Sequence, residues 1–167
     1  MTHIIKMKIK IKTKKGFTLL EVMAVMGIVA VMTAVALSAI VNSRNQTELE
    51  SAANEVMAAI RETQNYALTG KKDESDNVCT QYTFSPGTPT NNSYTILGGP
   101  IQTCSNFSVT QKLSGGVTFN GSSSISFSTP HADVTPIGGA TIVLIKGSND
   151  YCVFVNNAGL ITKGQCP

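Results

Sequence analysis

"KKGFTLLEVMAVMGIVAVMTAVAL", Lys14 to Leu37, sets a carboxylate where neither a membrane anchor nor a soluble helix has an obvious use for one. Glu21 lies just inside an apolar run that follows directly on a run of lysines, and no further charge occurs from Val22 to Val41. Such a run makes a helix of about 30 Å, enough to cross the hydrocarbon core of a bilayer. The lysines would hold its amino-terminal end on the cytoplasmic side. A charge in the apolar zone costs on the order of 3 kcal/mol, so Glu21 calls for a cation. One reading is a plain membrane anchor. Another is a secretory signal peptide, with Ala34-Val35-Ala36 as a small-x-small cleavage site. That second reading leaves Glu21 inside the apolar region and discards a segment that runs smoothly into the helix after it.

The charge balance depends on the same boundary. The formal net charge is +3, but six of the thirteen basic residues (Lys6, Lys8, Lys10, Lys12, Lys14 and Lys15) precede Gly16 and no acid does. Without them, seven bases face ten acids. The overall basicity is therefore no argument for a nucleic-acid partner. The remainder is rich in Ser, Thr, Asn and Gly and has no Trp. Such a composition suits an extracytoplasmic β-domain.

The segment from Lys14 to Leu37 resembles the amino terminus of type IV pilins and type II secretion pseudopilins, in its basic leader, its Gly-Phe-Thr-Leu-Leu-Glu and its apolar run. The resemblance implies that a prepilin peptidase cuts after Gly16 and methylates the new amine on Phe17. Lys15, Gly16 and Phe17 are then the processing residues, and a leader from either Met1 or Met7 would serve. It also implies that Glu21 aids assembly by meeting the amine of Phe17, on its own chain or a neighbour's. A neighbour's amine would make the buried carboxylate a register device, since a misaligned subunit leaves both charges unpaired. Many relatives carry a proline where this chain has Ser38. A kink there is not expected.

Past Val41 the helical pattern persists while the composition changes. Leu49, Ala52, Ala53, Val56, Met57, Ile60, Ala67 and Leu68 recur at spacings of three and four, with a gap after Ile60. Gly70, followed by Lys71 and Lys72, reads as a stop. One helix from about Thr18 to Thr69 is expected, apolar all round in its first half and apolar on one stripe in its second. The loop "KKDESDN" holds Asp73, Glu74 and Asp76, but it matches no EF-hand spacing and its lysines oppose calcium; a solvated turn is expected.

From Cys79 onward the pattern has period two or short apolar runs broken by Gly, Pro and Asn. Expected strands are Cys79–Phe84, Tyr94–Leu97, Phe107–Leu113, Val117–Phe119, Ser124–Ser128, Thr141–Lys146, Tyr151–Val155 and Leu160–Thr162. "TIVLI" reads as a central strand, and "NNAG" as the turn of a closing hairpin. The fold class is α+β: a long amino-terminal helix whose amphipathic half packs on a carboxy-terminal antiparallel sheet. The four cysteines, Cys79, Cys104, Cys152 and Cys166, include no C-x-x-C pair, and both histidines are far from them in sequence. Disulfides are expected rather than zinc. Of three connectivities, Cys79–Cys104 and Cys152–Cys166 close the shortest loops.

This half resembles, more loosely, the GspH/FimT-type minor pilins and pseudopilins, in "GGVTFNGSSSISFSTPHADVTPIGGATIVLIKGSNDYCVFVNNAGLITKG". The resemblance implies a minor subunit that primes or caps a type IV pilus or a type II secretion pseudopilus. The implied organisation is a cleaved leader (1–16), a transmembrane or filament-core helix (17–41), an amphipathic half-helix (42–70) and a globular β-domain (71–167). The implied partners are the prepilin peptidase, other subunits through the helix, and the inner-membrane assembly platform. The precursor would be single-pass in a bacterial inner membrane with its carboxy-terminal domain outside, and the mature chain would move to the filament. Some members bind DNA through arginines beside the last hairpin's glycine; here the corresponding residues, Gly159 to Lys163, include no arginine. DNA binding is the alternative rather than the expectation, because the lysines are scattered. A third reading is an exported domain processed near Ala36. His131 and Asp133 come with no catalytic motif, so no enzyme, metal or cofactor is expected.

Overall fold

The computed structural model describes residues 16–89, 91–99, 104 and 107–167. One α-helix, α1, spans Leu19–Thr69. The chain divides into two compact units between Ile40 and Val41.

In the first unit, no residue described from Gly16 to Ile40 is buried. The apolar segment is long and apolar enough to cross a membrane. With no proline before Pro86, nothing interrupts the backbone ladder, and α1 continues through position 38. The hydroxyl of Thr33 donates to the carbonyl of Val29 at 2.7 Å, so this polar group is satisfied within the helix itself.

In the second unit, α1 buries Leu49, Ala52, Ala53, Val56, Ala59, Ile60, Thr63 and Ala67. These recur at three and four residues and make one continuous stripe. Thr63 fills the gap left by the apolar pattern after Ile60, its hydroxyl donating to the carbonyl of Ala59 at 2.8 Å. Leu68, expected on the stripe, is instead 54% exposed, and Met57 is only half-buried. The helix ends where the sequence placed its stop. Gly70 takes φ +62, and the N–H of Lys71 reaches back to the carbonyl of Tyr66 at 3.1 Å, the bond that closes a left-handed helix cap. The Lys71 ammonium then lies over the Tyr66 ring, 5.7 Å from its centre.

Among the described residues nine strands follow: β1 (Gln81–Pro86), β2 (Ser93–Gly98), β3 (Ser108–Lys112), β4 (Thr118–Phe119), β5 (Ile125–Ser128), β6 (Asp133–Thr135), β7 (Ala140–Lys146), β8 (Asn149–Val155) and β9 (Ile161–Gly164). They form two antiparallel sheets, in the orders β3-β2-β1-β5-β6 and β4-β7-β8-β9. Alternation sends Tyr82 and Phe84, Tyr94 and Ile96, Ile125 and Phe127, and Ile142 and Leu144 inward. These side chains and the helix stripe make one core. The chain is thus α+β, with its helix packed on an antiparallel β-domain. The strand expected at Cys79–Phe84 lies two residues later, at Gln81–Pro86. β6 had no counterpart in the sequence reading: three residues between Pro130 and Pro136 are too few to show a period.

The structure joins Cys79 to Cys104 and Cys152 to Cys166. Rings brace the helix end, with Phe107 edge-on to Tyr66 at 5.3 Å and to Tyr82 at 5.6 Å. The last hairpin depends on a glycine. Gly159 sits at φ +74, and a Cβ there would meet Nε2 of Gln64 at 2.7 Å.

Candidate processing and assembly site

Gly16, Phe17 and Thr18 precede the helix in non-helical conformation, and Phe17 is 82% exposed. Thr18 is the residue that starts α1. Its carbonyl accepts the N–H of Val22 at 3.2 Å, and its side-chain oxygen accepts the N–H of Glu21 at 3.2 Å. This is half of a capping box, the pattern Thr-x-x-Glu at a helix start. In lipid the bond matters more than in water, because an unpaired N–H there has nothing else to bond. Glu21 is exposed in the first turn, where a negative charge favours the positive end of the helix dipole. Among the described residues its carboxylate has no hydrogen-bond or ion-pair partner. Lys15 lies outside the described residues.

The sequence reading placed the helix start at about Thr18 but missed its capping role, although the Thr-x-x-Glu spacing was there to show it. It also missed what holds the lysines of the β-domain. Lys146 pairs with Glu48 and donates to the carbonyl of Gly115. Lys163 pairs with Glu50 at 2.8 Å. Both acids come from α1, so these lysines fasten sheet to helix. Lys72 pairs with Asp76 at 2.8 Å, and Lys71 caps the Tyr66 ring. Lys112, on β3, is the one base after Gly70 without such a contact among the described residues. The lysines therefore offer no stripe of free positive charge for a phosphate backbone.

The acidic loop is closed by its own bonds. Asp73 Oδ1 accepts the N–H groups of Ser75 and Asn77, each at 2.9 Å. Asp76 takes φ +66. Among the described residues no group of three or more His, Cys, Asp or Glu side chains is placed to hold a metal. His131 is exposed in the turn between β5 and β6, and Asp133 opens β6 beside it.

Residues 11–37 match the family model described as the prokaryotic N-terminal methylation motif. The chain carries that motif. It encloses Lys15, Gly16, Phe17, Thr18 and Glu21, and it stops short of the β-domain. No curated protein and no solved structure matches the chain. The methylation motif thus coincides with an exposed non-helical segment, a capped helix start and an uncovered apolar helix.

Proposed function

We propose that the chain is a structural subunit, a minor pilin or pseudopilin, that primes or caps a type IV pilus or a type II secretion pseudopilus. A prepilin peptidase removes residues 1–16 and methylates the amine of Phe17. The precursor spans the inner membrane once, with the β-domain in the periplasm or outside. The mature chain then enters the filament through the apolar half of α1, helped by the assembly platform. The observation that carries this reading is the methylation motif at 11–37, which takes in the start of an apolar helix that no described residue of its unit covers.

Glu21 has two physical tasks in this scheme. Cutting after Gly16 places an ammonium at the positive end of a helix, which the dipole disfavours. A carboxylate one turn away offsets that charge. When the cation is a neighbour's, the same attraction selects the register in which both charges are paired. The GspH/FimT-like reading of the β-domain is supported by the order of its strands and by the closing β8–β9 hairpin.

Glu21→Ala tests the assembly role. The variant should be processed at the wild-type position and recovered in filaments at a reduced level. Normal incorporation of the variant into filaments would refute the role.

A further inference from the structure

We propose that the outer face of the β4-β7-β8-β9 sheet is a binding site for neutral carbohydrate. The register places Thr141, Phe154 and Thr162 side by side across β7, β8 and β9. The inward neighbours of that row, Ile142 and Val153, belong to the core, so the row itself faces out. Phe154 is half-buried, its ring flanked by two exposed hydroxyl-bearing residues at the spacing of neighbouring strands, about 4.8 Å each.

Loops raise this row into a groove of about 570 Å³. One wall is the β4–β5 loop, with Ser123; the other is Gly138 and Gly139 together with Asn156 of the last hairpin. The second wall is braced. Asn157 Oδ1 accepts the N–H of Gly138, and Asn156 Oδ1 accepts those of Ala158 at 3.0 Å and Leu160 at 2.9 Å. That arrangement commits the Asn156 oxygen and leaves its NH₂ as a donor. The hydroxyls of Ser123, Thr141 and Thr162 have no partner among the described residues.

The chemistry of the lining narrows the ligand. Among the described residues no ionisable side chain lines the groove, which disfavours nucleic acid, phosphate and acidic glycans. A purely apolar ligand would bury three hydroxyls and an amide without partners. A sugar ring answers both sets of groups: its C–H face covers the Phe154 ring and its hydroxyls pair with those around it. The volume lies within the range of about 300–1,000 Å³ usual for small-ligand sites, enough for one or two sugar units.

The test uses the full chain in a zwitterionic detergent without a sugar headgroup, applied to an array of neutral and anionic oligosaccharides. One or more neutral oligosaccharides should be retained. Titration of the best of them should show about tenfold weaker binding for Phe154→Ala. Thr141→Val and Thr162→Val keep the β-branched shape and should each weaken it by roughly three- to tenfold. Thr141→Ser should retain most of the affinity. Failure to retain any neutral oligosaccharide overturns the proposal, as does retention of anionic ones only. So does binding that the two valine variants leave unchanged.

Discussion

Two stretches of one helix meet opposite surroundings. Residues 19–36 are exposed wherever α1 turns, although nearly all of them are apolar. Between Leu49 and Ala67 the same helix hides one stripe and shows polar residues elsewhere. Alanine makes the contrast clear. Ala52, Ala53, Ala59 and Ala67 are buried and let the helix lie close to the sheets; Ala24, Ala30, Ala34 and Ala36 touch no core. Apolar area left in water forgoes about 25 cal/mol per Å², so the first stretch is made for apolar surroundings, as the proposed function requires. The second is made for its own β-domain.

The sharpest way to break this contrast is to place one charge in each stretch. Val56→Asp buries a carboxylate in the core and should destabilise the β-domain by roughly 3–5 kcal/mol or prevent it from folding, as read by thermal melting. Val29→Asp should leave that melting transition where it is and weaken insertion into bilayers by about 3 kcal/mol. A loss of domain stability in Val29→Asp would remove the distinction.

Smaller effects belong to the second unit alone. Replacing either disulfide by two serines should cost about 2–4 kcal/mol in thermal or denaturant unfolding, with no change in bilayer insertion. Gly159→Ala forces a left-handed backbone on a residue with a Cβ and drives that atom into Gln64. The expected cost is about 1–3 kcal/mol, partly relieved by adding Gln64→Ala.

The mildest effect is on pH dependence. Burial, aided by the bond to Glu62, raises the Tyr66 phenol from 10.0 to about 12. Burial, with the nearby charges of Glu55 and Glu62, raises Tyr94 likewise to about 12. The folded state therefore holds these protons more tightly than the unfolded chain. Their contribution is intact below pH 10 and is lost as pH rises towards 12. Chemical denaturation across that window should show falling stability, and Tyr66→Phe should flatten the fall.

Periodicity made most of the fold legible in the sequence. The helix was readable from its three-and-four spacing and its glycine stop, and β5, β7 and β8 from alternation or continuous apolar runs. β6 was hidden by its brevity. Leu68 was misjudged because it points off the stripe that Thr63 and Ala67 continue, about 100° round the helix from Ala67. At the candidate site, Glu21 stood out because a lone carboxylate in an apolar run is costly, whereas Gly16 and Phe17 were marked only by the resemblance to the pilin amino terminus. The cap made by Thr18 went unnoticed because a threonine beside such a run looks ordinary until its oxygen is seen on the Glu21 amide. The pairing of Lys146 and Lys163 with Glu48 and Glu50 joins residues about a hundred positions apart, which no local pattern reports.

The central claim is that the chain is divided after Gly16 to release an apolar helix for a filament. The most direct test is the mass of the mature amino terminus, determined on protein recovered from cells that contain the peptidase. The account predicts N-methyl-phenylalanine at Phe17. A mature chain beginning at Leu37 would contradict it.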